Sequence, residues 1–407
     1  VAKGKLVRLS VFQFFVCFFS LMVPVQTSLA SGGVIHVPEY ENTLEKVVLS
    51  LPAKVSQLVY HEDLLTRFPS YTEFLILVEG TNLPILQKNL EGKPYASRVK
   101  LIPYYSKNVD EGRYFTMVDK NPTLAGVFRD RLWPQGTVWA RDSFVACKDQ
   151  NGEPVLMVPT YYRNIVFPSV NVGEKSHLQF DNDYLKSLRG LGVHMQKSVP
   201  LVFDGGNVFF DNLGGKSVAL VGKDSVRASV ALSRAIKSGM DEAAILDSFK
   251  TFFNVDNVAI VGIERQPQLL FHLDQAMAPL PGGIAAVVKT VGTMPESDTE
   301  KKQVEEVREF LSHLRIQLHQ LGYTIIDVET SMDAVLHRRF PNMVVYTNRE
   351  TGKVNLLLST YSDDSELDAQ LREKNIHQLQ ERGYVVDHVN TDANRNNGGV
   401  HCLYNTL

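Results

Sequence analysis

The sequence predicts an α/β fold built from a repeating helix-then-strand unit. Two observations carry this. First, the stretches 318–328 and 379–389 each run from a helix end through a Gly-Tyr pair, Gly322-Tyr323 and Gly383-Tyr384, into an apolar strand. Glycine just past a helix is the usual stop signal. Second, helix-then-strand units recur about five times, spaced very roughly sixty to seventy residues apart where the copies are clear. No Pro/Gly/Ser-rich linker divides the chain. Repetition of this kind predicts a cyclic or stacked α/β array. The alternative is an ordinary open α/β sheet whose helix endings are alike by chance.

The elements follow in order. Residues 1–30 read as a removable leader. Lys3, Lys5 and Arg8 form a basic start, an apolar run extends from Ser10 to Val25, and Ser28-Leu29-Ala30 offers a small-x-small cleavage site. A retained anchor is the alternative, but the run is short for a membrane-spanning helix. Residues 31–407 are expected to form one catalytic domain, exported to the periplasm or beyond the cell and free of the membrane once the leader is removed. In that domain a helix over 64–71 leads into a strand at 74–78. A second copy runs from Leu185 to Leu191, stops at Gly192, and leads towards a strand at Val199 to Phe203. A hairpin pairs 208–210 with 217–221 across Asp211-Asn212-Leu213-Gly214-Gly215. A helix over 241–253 precedes a strand at 258–261. Val304, Val307, Leu311, Leu314, Leu318 and Leu321 fall at three- and four-residue steps, one apolar helical face, preceded by Glu296, Asp298 and Glu300 as the helix dipole prefers. A second hairpin pairs 343–346 with 354–358. Leu367, Leu371 and Leu379 mark the last helix.

Composition bounds the function classes. The chain has 407 residues, 44% hydrophobic and 21% charged, an ordinary globular balance. Without residues 1–30 it carries 39 basic against 45 acidic residues, a net charge of −6. There is no basic stripe or arginine-rich tail, so nucleic acid is not an expected partner. Beyond the leader only Cys147 and Cys402 remain. A disulfide between them is one reading for an exported chain, and two free thiols the other. No Cys-x-x-Cys, His-Glu-x-x-His or phosphate-binding glycine loop occurs, so neither a metal nor a cofactor is expected.

Four polar stretches carry candidate chemistry: Trp139-Ala140-Arg141-Asp142, Asp204-Gly205-Gly206-Asn207, His272-Leu273-Asp274 and Gly398-Gly399-Val400-His401-Cys402. Loops at one end of successive strands can converge on a shared cleft. As a thiolate, Cys402 would attack an electrophilic carbon; a small buried residue is the plainer reading. His272 suits a general acid/base, or else a hydrogen-bonded structural histidine. On a strand, His272 and Asp274 would share one side, with Leu273 facing away. Asp142 and Asp274 together suit a planar guanidinium with its paired N–H donors, although Asp142 also has a basic neighbour in Arg141. Asp204 would orient the histidine ring, or cap the Gly-Gly bend.

Taken as an ordered set, these motifs resemble the guanidine-modifying enzymes, the pentein superfamily, and within it the agmatine deiminase and bacterial peptidylarginine deiminase group. The resemblance spans Trp139 to Cys402. It implies a five-bladed α/β-propeller. It also implies Cys402 as nucleophile, His272 as acid/base, and Asp142 and Asp274 as the guanidinium clamp. Trp139, Arg141 and Asn207, their neighbours in the motifs, are expected to assist substrate binding. Asp204 stands where these enzymes usually carry a glutamate. The implied reaction is hydrolysis of a guanidinium to a ureido group and ammonia. Small-molecule agmatine deiminases usually continue Trp-x-Arg-Asp with Gly-Pro, where this chain has Ser143-Phe144, and usually extend past the cysteine with a glutamine-rich tail. Those departures and the leader favour a peptidylarginine substrate over agmatine. An amidinotransferase or an inactive binding protein on the same fold are the other readings.

Overall fold

A computed structural model describes residues 33–51, 58, 61–104, 140–159, 187–188, 190–197, 201–235, 238–264, 267, 269–270, 272–362, 364–390 and 399–407. The expected leader, Trp139 and Gly398 lie outside them. In chain order the regular elements are β1 (Lys46–Leu51), α1 (Glu62–Arg67), β2 (Glu73–Glu79), α2 (Leu83–Leu90), β3 (Val99–Tyr104), β4 (Val145–Lys148), β5 (Pro154–Val158) and β6 (His194–Lys197). They continue with β7 (Val208–Leu213), β8 (Lys216–Gly222), α3 (Lys223–Ala235), α4 (Glu242–Phe253), β9 (Asn257–Val261), β10 (Met277–Leu280), β11 (Ile284–Val291), α5 (Asp298–Gln320) and β12 (Thr324–Ser331). The last are α6 (Met332–Leu336), β13 (Met343–Thr347), β14 (Val354–Thr360), α7 (Glu366–Gln380), β15 (Val385–Asn390), α8 (Val400–Leu403) and β16 (Tyr404–Thr406).

The fold is mixed α/β, with five small sheets among the described residues. Four of them, β4-β5-β6, β7-β8-β9, β10-β11-β12 and β13-β14-β15, repeat one plan. The first two strands pair antiparallel and the third joins parallel to the second. A parallel partner needs a long crossover; α3 and α4 lie in that of β7-β8-β9, α5 in that of β10-β11-β12, and α7 in that of β13-β14-β15. The fifth sheet, β16-β1-β2-β3, follows the same plan with strands from opposite ends of the sequence. β16 lies antiparallel to β1, with Val47 opposite Thr406 and Leu49 opposite Tyr404. β1 then runs parallel to β2, and β3 is added outside.

Strand alternation explains how the sheets pack. Successive side chains point to opposite faces, and here both faces are apolar. Phe209 and Phe210 enter different cores, as do Val344 and Val345, and Leu356 and Leu357. The β4–β6 sheet shares one core with β7–β9 around Phe203, Phe210 and Phe253. The β7–β9 sheet shares another with β10–β12 around Phe209 and Val287, over which α5 packs. The β10–β12 and β13–β15 sheets meet at Ala286, Val328, Val345 and Leu356. The β13–β15 sheet meets β16-β1-β2-β3 at Val344, Leu357, Val47 and Ile76, and that sheet meets β4–β6 at Val48, Leu75 and Leu156. Each sheet therefore shares one core with the sheet before it and another with the sheet after it, and the last shares one with the first.

The expected helices over 241–253, 304–321 and 367–379 correspond to α4, α5 and α7, and both hairpins form. Val304, Val307, Leu311, Leu314 and Leu318 of α5 are buried together with Phe310. Gly322 and Gly383 sit at φ 95° and 90°, the left-handed conformation that ends a helix. Of the strand expected at Val199 to Phe203, residues 199 and 200 lie outside the described residues and 201–203 are not strand; β6 begins instead at His194, directly after Gly192 and Val193. As after Gly322 and Gly383, the strand starts two residues past the stop. Leu201 and Phe203 are buried in non-strand chain, where they join the phenylalanine core of α4 instead.

Candidate active site

The polar motifs share one position in the architecture: each immediately precedes the first strand of a sheet. A 3-10 turn at Ala140–Ser143 leads into β4 with one residue between, and one at Gly205–Asn207 leads directly into β7. One at Leu273–Gln275 precedes β10, Asn342 precedes β13, and α8 runs into β16. The turn at Ala140–Ser143 touches both α8 and the turn at Gly205–Asn207, which in turn touches Leu273–Gln275. Residues far apart in sequence thus meet. His272-Leu273-Asp274 lies on no strand, so the alternation a strand would impose does not apply. It is a 3-10 turn capped by His272, and Gln275 accepts from the His272 N–H. Leu273 still faces the apolar core while His272 and Asp274 face the turn at Gly206.

His272 is buried between carboxylates. Its Nε2 lies 3.2 Å from Asp204 Oδ2 and its Nδ1 3.6 Å from Asp142 Oδ1. Burial pulls the imidazolium pKa down, but Asp142, Asp204 and Asp274 outweigh it and push the value up to about 9. The shorter acid at 204 therefore reaches the ring. Asp274 Oδ2 accepts from Cys402 Sγ at 3.3 Å and from His401 Nδ1 at 2.9 Å. Its other oxygen, Oδ1, is buried and accepts no hydrogen bond from any described residue. Burial raises the Asp274 carboxyl pKa, and His401, His272 and Arg141 more than reverse this, so the group is held below its ordinary value. A β-carbon on Gly206 would lie 2.9 Å from Asp274 Oδ2 and 3.0 Å from His272 Nδ1. Those two atoms are therefore no more than about 6 Å apart.

Cys402 and Cys147 are both free, which excludes the disulfide alternative. Cys147 is buried in the β4–β9 core, where burial pushes its thiol up to about 12. The Cys402 thiol is also raised well above its ordinary value, first by burial and then by Asp274 and Asp142. Asn342 Nδ2 donates to Cys402 Sγ at 3.6 Å and to the Asp274 carbonyl at 3.0 Å, while its Oδ1 accepts from the His401 N–H.

Two expected substrate contacts are spent on the protein. Asn207 is fully buried: Oδ1 accepts from the Leu273 N–H at 3.0 Å and Nδ2 donates to Asp224 at 3.3 Å. It ties the turn at Gly205–Asn207 to the turn carrying His272. Arg141 donates from Nε to the Gly205 carbonyl and from Nη2 to Glu39. A buried guanidinium needs such a partner, and Arg141 serves as a brace here.

Three residues escaped the sequence reading. Glu39 sits on a 3-10 turn (Glu39–Glu41) before β1 and pairs with His401 and Arg141. No spacing linked Pro38-Glu39-Tyr40 to residues 362 positions away. His401 lay within the Gly-Gly-x-His-Cys motif, which was a usable signal, but it had no assigned role. Asn342 belongs to the one sheet entrance for which no motif was read. Counting Glu39, Asp142, Asp204 and Asp274 against Arg141, His272 and His401, the cluster carries one excess negative charge with the thiol neutral.

No protein-family model matches the chain, and no curated protein matches it by sequence. Solved structures do. A candidate arginine deiminase from Porphyromonas gingivalis superposes with a TM-score of 0.60 at 14% identity, over 92% of this chain and 98% of that one. The agmatine deiminase of Enterococcus faecalis gives 0.58 at 13% identity, over 92% and 95%. The C. jejuni agmatine deiminase gives 0.54 at 15% identity, over 92% and 96%. The chain shares the fold of these deiminases along almost its whole length.

Proposed function

We propose that this chain is a guanidino-group deiminase of the pentein type, with its five sheets as the blades of a five-bladed α/β-propeller. The cyclic sharing of cores from sheet to sheet supports the propeller. The observation that carries the activity is the convergence of Cys402, His272, Asp142, Asp204 and Asp274, whose Oδ1 is a buried acceptor with no donor among the described residues. A guanidinium supplies what that site lacks: a positive charge and planar N–H donors.

The chemistry follows from the charges. Without substrate, burial and the carboxylates keep Cys402 protonated. A guanidinium seated against Asp142 and Asp274 offsets that negative field, so the thiol releases its proton to solvent as the cation binds. Sγ bonds to the guanidinium carbon. His272, protonated below about pH 9, gives its proton to the departing nitrogen as the C–N bond breaks, which releases ammonia and leaves a thiouronium on sulfur. Neutral His272 then takes a proton from water, oxygen bonds to the carbon, the C–S bond breaks, and the hydroxyl proton passes to the departing sulfur, which frees the ureido product and restores the thiol. Positioning and preorganised charge supply most of the acceleration.

For substrate we favour arginine within a peptide, and an exported location by way of residues 1–30. One argument for the peptide substrate weakens: Phe144 is fully buried in the core and its carbonyl accepts from Asn405, so Ser143-Phe144 is packing rather than pocket wall. Agmatine is the second reading; an amine acceptor in place of water would make the same intermediate serve an amidinotransferase. The deciding experiment measures ammonia and ureido product from agmatine, arginine and arginine-containing peptides. Product from peptides above all is expected, and activity should vanish in a folded Cys402→Ala chain. No product from any of the three would overturn the deiminase reading. Signal from an amino-terminal reporter fusion retained in the cytoplasm would overturn export.

A further inference from the structure

We infer that His401 and Glu39 are positioning residues that fix Asp274 with one oxygen engaged and the other presented to a guanidinium. The inference rests on the guanidinium reading above. His401 is fully buried and both its ring nitrogens face carboxylates: Nδ1 lies 2.9 Å from Asp274 Oδ2, and Nε2 lies 2.9 Å from both Glu39 oxygens. Only the imidazolium donates in both directions at once. The ring is held edge-on to Tyr404, with centroids 5.6 Å apart, and tilted against Phe209 at 5.7 Å. Its backbone N–H is bound by Asn342. Such a ring cannot follow Asp274 if the carboxylate turns; the carboxylate must conform to the ring.

Glu39 is equally constrained. It pairs with Arg141, and its turn is pinned by Tyr40, whose hydroxyl donates to Asp211 Oδ1 at 2.6 Å. Asp211 receives a second tyrosine, Tyr323, at 2.6 Å on its other oxygen. Thr347 Oγ1 donates to the Tyr40 carbonyl. Charge therefore alternates along Arg141, Glu39, His401 and Asp274. The arrangement keeps Asp274 ionised although it is buried, and occupies its Oδ2 while Oδ1 accepts from no described residue. The segment just before β1 is thus part of the site.

The test uses the full chain carrying Cys402→Ala, so that nothing turns over, with agmatine and an arginine-containing peptide as calorimetric probes. Against that parent, His401→Phe removes both donors and should lower affinity about tenfold or more, while His401→Asn keeps an N–H for Asp274 and should recover affinity to within about threefold of the parent. Glu39→Gln should lower affinity with the melting temperature little changed. Equal losses in both His401 variants, tracking a fall in melting temperature, would mean a merely structural role and overturn the proposal. Unchanged affinity in Glu39→Gln would do the same, even if His401→Phe fails to fold. A crystal structure of the His401→Phe chain, or of Glu39→Gln if that chain does not fold, reads the orientation directly: Asp274 turned from its present rotamer supports the proposal, and an unmoved Asp274 refutes it. If the parent binds neither probe but Asp274 turns, the guanidinium reading fails while the positioning role stands. If it binds and Asp274 stays, the reverse holds.

Discussion

Adding a single methyl group separates folding from chemistry at the Gly205-Gly206 pair. Neither glycine sits at positive φ, so alanine is conformationally allowed at both and space alone decides. At Gly206 the new carbon would lie 2.9 Å from Asp274 Oδ2 and 3.0 Å from His272 Nδ1. Ordinary contact begins near about 3.5 Å, so each group must retreat by about half an ångström. Asp274 is tied to His401 and His272 to Asp204, so the retreat distorts the pair that flanks the substrate. A misplacement of about 1 Å costs about a hundredfold in rate, so Gly206→Ala should lower kcat/KM about tenfold or more. Its stability cost should stay within about 1–3 kcal/mol, because side chains can shift and the unfolded chain loses entropy. At Gly205 the same carbon would lie 2.1 Å from the Arg141 carbonyl oxygen and 2.7 Å from that of Phe144. Backbone cannot retreat, so Gly205→Ala should lose more than about 3 kcal/mol or fail to fold. Denaturant unfolding and deimination rates on the two variants give the answer. Full activity in a folded Gly206→Ala chain would refute the placement of that turn against His272 and Asp274. Parent-like stability of Gly205→Ala would refute its packing.

Three more outcomes are expected. Asp142→Asn should raise KM for a guanidinium at least about tenfold while the fold persists, by loss of one charged hydrogen-bonding partner; an unchanged KM removes Asp142 from the site. His272 has a folded pKa of about 9 against 6.5 for the ordinary side chain. Its stabilising contribution, at most about 3 kcal/mol, is complete below pH ~6.5 and is lost as pH rises through ~9. Urea unfolding from pH 6 to 10 should show that decline, His272→Asn should flatten it, and the rate should fall above pH ~9 as the proton donor is lost. Tyr323→Phe should cost about 1–3 kcal/mol by depriving Asp211 Oδ2 of its donor, measured as a lower melting temperature.

What the sequence revealed depended on whether the cause was local. Helix stops at Gly322 and Gly383, the apolar face of α5 and the two hairpins arise from neighbouring residues, and all were readable. The strand at β6 was misplaced because the apolar run Leu201 to Phe203 looks like a strand locally, while its burial against the phenylalanines of α4 is a tertiary effect. The motif residues Asp142, Asp204, His272, Asp274 and Cys402 do come together, because each lies at the entrance to a sheet. Glu39 and Asn342 were invisible for the complementary reason. A lone glutamate and a lone asparagine carry no spacing signal, and their importance exists only once the sheets have packed. Arg141 and Asn207 were visible as motif members, but only their partners show that they brace turns.

The pairing of β16 with β1 has a consequence for timing. Cys402 stands two residues ahead of β16, and Glu39 stands shortly ahead of β1. A ribosome must therefore have synthesised the chain through Cys402 before the thiol can acquire its acidic and imidazole neighbours. Fragments interrupted earlier carry most of the polar cluster but no sulfur among it. On the function proposed above, reactivity towards a guanidinium is thereby deferred until synthesis has passed residue 402 and β16 has paired with β1.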